Sequence, residues 1–340
     1  MIVAGIDEAG LGPVLGPLVV SGVAMRVNTT PDEVPAFTPD LWSMLSAAIS
    51  RKPSRKKAGP ITIGDSKKLY NRKKSDGLVP LERGVLTMLS TRTLGAEAQR
   101  KVPASLAELL GEVDLSIVGS GGAVQRAKRY AWYENCELVL PRQTGPIDIE
   151  LGSNSVLLAM RAAGVELLDI RTQPIFAGDF NRMIAATQNK ATTTFSVTMN
   201  LLMWLWESCR DDDLRIIVDR QGGRVHYREP LQRVFPDCNL KVLEETEKRS
   251  AYQMRTGSRL VEVSFVVGGE RVCLATGLAS MLSKYLRELF MEMFNQYWIK
   301  LIPDLKPTAG YYVDGNRFYR EITDKMQKLG ISEDYVLRCR

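Results

Sequence analysis

Asp7 and Glu8 stand side by side at the end of a short apolar run, Ile2 to Ile6, directly ahead of the turn Gly10-Leu11-Gly12-Pro13. Asp219 has the same setting, since the run Leu-Arg-Ile-Ile-Val delivers one acid at its end. Carboxylates at strand ends of an α/β sheet are natural ligands for Mg²⁺, which takes oxygen donors and often shares its shell with substrate phosphate. Two such ions can activate water and stabilise the leaving oxygen of a phosphodiester. Neighbouring side chains on a strand point to opposite faces, so Asp7 and Glu8 reach one centre only where the strand breaks into the turn. On residue types alone, solvated turn acids fit the same pattern.

Composition narrows the alternatives. The chain has 340 residues, 45% of them apolar and 25% charged, which excludes a disordered polypeptide. No apolar run approaches the roughly 18 residues of a membrane-spanning helix. The N-terminus carries acids where a signal peptide needs an apolar stretch, so a cytoplasmic location is expected. Lys and Arg number 45 against 39 Asp and Glu, and the net charge of +6 permits a polyanionic partner. The single histidine, His226, excludes a multi-histidine metal site, and a serine or cysteine nucleophile would have only that one residue as base. Cys136, Cys209, Cys238, Cys273 and Cys339 are scattered and read as reduced thiols. Carboxylates and a hard metal are the expected route to any hydrolysis.

The elements that must position these acids follow from periodicity. Residues 2–6 and 18–25 read as the two strands of a hairpin, and residues 69–89 have helical spacing. Residues 90–152, with a Gly-Ser-Gly-Gly turn at 119–122, fit least with their surroundings and read as an insertion or subdomain. Order resumes with a helix over 155–163, a strand over 165–170, an apolar helix over 193–209 and the strand 214–219. Strands near 241–243 and 261–267 precede helices over 272–297 and 318–329. The expectation is an α/β core, a mixed sheet flanked by helices, formed by residues 1–89 and 153–340.

The string Gly-Ile-Asp-Glu-Ala-Gly-Leu-Gly-Pro from Gly5 resembles the opening motif of the type 2 ribonucleases H, ribonuclease HII and ribonuclease HIII. Further resemblances follow in that family's order: Gly-Asp-Ser-Lys-Lys-Leu at 64–69, the strand ending on Asp219, the helix with Ala279, Ser280 and Lys284, and Thr-Ala-Gly-Tyr-Tyr-Val-Asp at 308–314. The resemblance implies a ribonuclease H-like fold and an endonuclease that cuts the RNA strand of RNA/DNA hybrids with two Mg²⁺ or Mn²⁺ ions, leaving 5′-phosphate and 3′-hydroxyl ends. It implies a site of Asp7, Glu8, Asp219 and Glu270, the glutamate being similar to the HIII branch. Glu244, Glu245 and Glu247 read as a solvated face, and Asp314, which follows the Ala-Ser helix, reads as a decoy for the third acid, with an auxiliary acid as the alternative the resemblance leaves. A monomer is expected.

Basic residues crowd residues 51–74, and phosphate contacts from such residues give affinity without reading sequence. Lys56 and Lys57 belong to this cluster, Lys73 and Lys74 read as a solvated face, and the matched motif assigns Lys67 and Lys68 to backbone phosphates. Ser280, Lys284 and Arg287 recur at helical spacing and share a face expected to meet phosphate. By resemblance, Gly10, Leu11 and Gly12 contact the ribose 2′-hydroxyl, which separates RNA from DNA. Leu11 replaces the arginine of the HII branch, and Tyr311, with Tyr312 as its rival, stands where an HII tyrosine packs on the scissile nucleotide. Cleavage within runs of RNA is therefore expected. Two rival readings are a hybrid-binding module without turnover and a two-metal nuclease acting on another structure, such as a DNA junction. His226 reads as a surface loop residue, with proton transfer as the alternative.

Overall fold

The computed structural model describes residues 1–28, 38–53, 59–92, 102–116, 121–134 and 136–339, so Lys56, Lys57, Gly119 and Ser120 lie outside the described residues. Seven strands form one sheet: β1 (Ile2–Ala9), β2 (Leu18–Val27), β5 (Val165–Ile175), β6 (Leu214–Asp219), β7 (Asn239–Glu245), β8 (Arg249–Thr256) and β9 (Arg259–Val266). Their order is β5-β2-β1-β6-β9-β8-β7. β1 and β6 run parallel, as do β6 and β9, while the remaining neighbours are antiparallel. Two short strands, β3 (Ile49–Ser50) and β4 (Ile61–Thr62), pair separately. The fold is thus a mixed α/β sheet flanked by helices.

The helices in chain order are α1 (Leu41–Met44), α2 (Ser66–Leu69), α3 (Val79–Leu89), α4 (Leu106–Val113), α5 (Ala123–Ala127), α6 (Pro146–Ala163), α7 (Ala177–Thr187), α8 (Lys190–Ser208), α9 (Arg228–Val234), α10 (Leu274–Leu301), α11 (Tyr312–Lys328) and α12 (Glu333–Val336). Alternation along β1 sorts them into two layers. Ile2, Ala4 and Ile6 enter one buried cluster with Val197, Leu201 and Leu205 of α8. Val3 enters the other, with α3, α4, α6 and α10. Gly5 lies on the α10 side, where an added Cβ would fall 2.0 Å from the Thr276 backbone nitrogen. Only glycine lets the first turns of α10 press against the strand that carries the acids.

Several elements differ from their expected bounds. Residues 69–89 are not one helix: α2 and α3 are separated by a turn, and Pro80 sits in the first turn of α3, where a missing N–H is harmless. Strand β8 escaped periodicity because its outward residues, such as Arg249, Gln253 and Arg255, break the apolar pattern. Residues 102–116 and 121–134 contribute Leu106, Leu110, Tyr130, Trp132 and Tyr133 to the same cluster as α10, with the Trp132 and Phe294 rings 5.4 Å apart. Glu82 of α3 is fully buried and fixes the chain beyond them. It accepts hydrogen bonds from the backbone N–H groups of Arg142, Gln143 and Thr144 and from the Tyr285 hydroxyl of α10.

Candidate metal centre

The parallel register of β1 and β6 pairs Ile6 with Val218, so the next residues, Asp7 and Asp219, emerge on neighbouring strands at the same C-terminal edge. Asp219 in turn pairs with Val266 at the end of β9, and the turn that follows carries Glu270. Asp7, Asp219 and Glu270 each offer a carboxylate oxygen, and these oxygens all lie within 4.8 Å of one another. The Gly269 N–H donates to Asp219 Oδ1 at 2.8 Å, which ties the turn to the strand end.

Glu8 is not in this trio. β1 continues through Ala9, so the pleat directs Asp7 toward α10 and Glu8 toward the α8 side. Gln221 receives it there, donating from Nε2 to Glu8 Oε2 at 2.9 Å. Gln221 carries no local signature and was not singled out by spacing. Its place two residues beyond the strand-end acid is the signal that sequence reading had to hand.

Burial, then the neighbouring Glu8 and Asp219, hold the Asp7 carboxyl well above its ordinary range, although the Ser280 hydroxyl opposes this. Burial, with Asp219 beside it, pushes Glu8 up to about 7 against the stabilising Gln221 bond. Burial and Asp219 also raise Glu270. Buried like charges resist ionisation. The donor set is all oxygen, and Glu270 Oε2 is buried without a hydrogen-bond partner. Mutual repulsion, hard donors and an orphaned oxygen all fit a divalent cation.

One lysine answers all four acids. Burial works against the Lys67 ammonium, but Asp7, Asp219, Glu270 and Glu8 together outweigh it and raise its pKa. Asp65 caps α2 by accepting from the Lys67 backbone N–H at 3.0 Å, and the Ser66 and Ser280 hydroxyls bond at 2.9 Å, docking the segment onto α10. Lys68 points outward and pairs loosely with Asp65 at 3.6 Å.

The chain is similar to solved ribonucleases HII and HIII. These include ribonuclease HII in a complex with PCNA from Archaeoglobus fulgidus, at 15% identity and TM-score 0.39, covering 100% of this chain and 95% of that one. They include Bst ribonuclease HIII in complex with Mn²⁺, at 12% identity and TM-score 0.39, covering 99% of this chain and 66% of that one. Ribonuclease H2 from Pyrococcus horikoshii OT3 matches at 12% identity and TM-score 0.38, covering 99% and 92%. No protein-family model and no curated protein sequence matches.

The remaining expected site residues fall in other settings. Ser280 and Arg287 are buried, so the face they share with Lys284 looks into the protein and not toward phosphate in solvent. Lys284 is bonded to Glu288 and lies 4.7 Å from the Tyr70 ring centre. Tyr311 and Tyr312 are both exposed at the start of α11. Leu11 packs against the α8-side cluster, Gly12 is open to solvent, and Gly10 adopts a φ of +93° that favours glycine. Asp314 accepts from the Thr308 hydroxyl, the Ala309 N–H and Arg317, and so braces the 308–310 turn away from the acid trio. His226 is exposed and bonded to Glu245 at 2.7 Å. Among the described residues no helix is long and apolar enough to cross a membrane.

Proposed function

We propose that this protein is an endonuclease that hydrolyses the RNA strand of RNA/DNA hybrids, acting as a monomer with Mg²⁺ or Mn²⁺. The observation that carries this reading is the convergence of Asp7, Asp219 and Glu270 oxygens within 4.8 Å at the C-terminal edge of three strands. The motif order from Gly5 to Asp314 supplies the substrate class.

Asp7, Asp219 and Glu270 would hold the cations, with Glu8 completing the set from the opposite side of the strand. When bound, two such ions would supply activation of the attacking water and stabilisation of the departing 3′ oxygen. The protein's own part is positional. Gln221 orients Glu8, Ser280 supports Asp7, and the Gly269 amide holds Asp219. Lys67 offsets the acid cluster and offers a cation to the substrate backbone. The Gly10-Leu11-Gly12 turn faces the ribose 2′-hydroxyl, while Lys68 and Tyr311 contribute to substrate contact beyond it, and Lys284, held by Glu288, braces α10 instead. Residues 1–89 and 153–340 carry the catalytic unit, and the described part of the insertion, Leu106, Tyr130 and Trp132 among it, packs against that unit.

The test is a parallel assay of hybrid, duplex RNA, duplex DNA and a duplex with a single ribonucleotide, in Mg²⁺ and in Mn²⁺. The expected outcome is cutting of the hybrid, with the two homoduplexes intact and the single-ribonucleotide duplex cut poorly. Tight binding of hybrid without any cutting would replace this reading with a non-catalytic binder.

A further inference from the structure

The loop from Gly10 to Pro17 joins the strand carrying Asp7 and Glu8 to β2, and two buried guanidiniums grip its carbonyls. Arg338 donates from Nη2 to the carbonyl oxygens of both Gly10 and Pro13. Arg287 donates from Nη2 to Leu15 O at 3.4 Å and to Ala309 O at 2.9 Å. Arg338 is 3% exposed, its guanidinium carbon lies 5.0 Å from the Phe180 ring centre, and its Nε and Nη1 have no hydrogen-bond partner. Burial, with Arg287 nearby, pulls its pKa down to about 9, so it stays charged at neutral pH with the loop carbonyls as its main solvation.

The segment bearing Arg338 is laid along the loop. Leu337 bridges Leu15 in antiparallel fashion, and the Arg338 N–H donates to Val14 O at 2.9 Å. Asn181 of α7 pins the segment from behind, donating to the carbonyls of Asp334 and Leu337 and accepting from the Cys339 N–H. This arrangement has a directional consequence. A trans peptide points its C=O and N–H in opposite directions. With the Gly10 carbonyl drawn inward to Arg338, the N–H of Leu11, in the same peptide, points outward. Among the described residues the Leu11 and Gly12 amides donate to no backbone partner. A cation on the carbonyl also polarises the peptide and strengthens its N–H as a donor.

We propose that Arg338 is a positioning residue: by pinning the Gly10 and Pro13 carbonyls it presents the Leu11 amide outward to the ribose 2′-oxygen of the RNA strand. This rests on the hybrid-cleaving reading for its substrate, but the pinning is measurable without turnover.

The experiment compares the intact chain with Arg338→Met and Arg338→Lys. The first readout is hydrogen exchange in peptides covering residues 10–17. The second is cleavage of a hybrid against the same hybrid with one 2′-deoxynucleotide at the scissile position, and Mn²⁺ affinity serves as a control. Arg338→Met should speed exchange in the loop, lower kcat/KM on the hybrid by about 10²-fold, as small displacements of reacting groups do, and shrink the preference for ribose. Mn²⁺ affinity should stay as in the wild type, because no acid is touched. Arg338→Lys should recover part of both effects, since an ammonium keeps the charge but lacks the fork that spans two carbonyls. If Arg338→Met fails to fold, the same comparison is read from Arg338→Lys. Unchanged loop exchange overturns the proposal. So does faster exchange with wild-type ribose preference, which would leave Arg338 a stabilising residue only. Should the wild-type protein cut no hybrid at all, the functional reading fails, and exchange alone decides the pinning.

Discussion

At the residue scale, the site is governed by the pleat of one strand. Asp7 and Glu8 are adjacent in sequence but face opposite sides of β1, so the compact trio is Asp7, Asp219 and Glu270, and Glu8 depends on Gln221 for its orientation. Gln221→Ala should therefore weaken divalent-metal affinity or activity by about 10–100-fold, the usual cost of losing a partner behind a ligand. A metal titration followed by heat release checks this, with the melting temperature expected to move little. The raised pKa values of Asp7, Glu8 and Glu270 carry a second expectation. Glu8 ordinarily titrates at 4.5 and here titrates at about 7, so across that window the folded protein holds protons that the unfolded chain has released. Stability of the metal-free protein should then fall as pH rises from about 4.5 to about 7. Added Mn²⁺ should raise the melting temperature more above this window than below it, because the ligands must be deprotonated. Calorimetric melts across the range, with and without the ion, measure both effects.

At the scale of elements, α10 is the member that turns a sheet edge into a site. Its first turns press on β1 at Gly5, its Ser280 meets both Ser66 and Asp7, and its Ser283 hydroxyl donates to the Asp7 carbonyl at 3.1 Å. Gly5→Ala places a methyl against helix backbone that has no room to shift. A destabilisation of about 1–3 kcal/mol or more is expected, in the range of overpacked cores, and denaturant unfolding would measure it. Strand-end acids and the Asp-Ser-Lys-Lys segment were legible in the sequence because short motifs and apolar runs mark them. The inward orientation of Arg287 was not, since helical spacing defines a face without saying what covers it. The break between α2 and α3 is closed by local bonds among Asn71, Lys74 and Gly77 inside a stretch that otherwise keeps helical spacing, and β8 was hidden by the polar residues on its outward side. Likewise, nothing local to residues 332–339 announces that they lie along the glycine-rich loop.

At the scale of the whole molecule, the described parts of residues 90–152, through Leu106, Leu110, Tyr130, Trp132 and Tyr133, share the core of the flanking chain, and Glu82 is the junction. Three backbone amides and a tyrosine hydroxyl converge on its buried carboxylate. Glu82→Ala would leave those donors unanswered, and the expected loss is about 1–3 kcal/mol for each donor left buried without a partner. Unfolding should remain a single transition if the segment and the sheet form one cooperative unit. A separate early transition in the wild type would mean that the segment folds on its own. The acid cluster illustrates the opposite relation between stability and function. Asp7→Asn removes a buried like charge, so the metal-free variant should melt no lower than the wild type while losing activity.

The most direct measurement is single-turnover cleavage of an end-labelled RNA/DNA hybrid by the wild type and by Asp219→Asn, each with Mg²⁺ and with excess chelator. The expected result is cutting by the wild type only when the metal is present, with 5′-phosphate and 3′-hydroxyl ends, and no cutting by a folded Asp219→Asn protein. Cutting that survives chelation, or an Asp219→Asn variant that cleaves at the wild-type rate, would contradict the assignment of these carboxylates as a metal-dependent nuclease site.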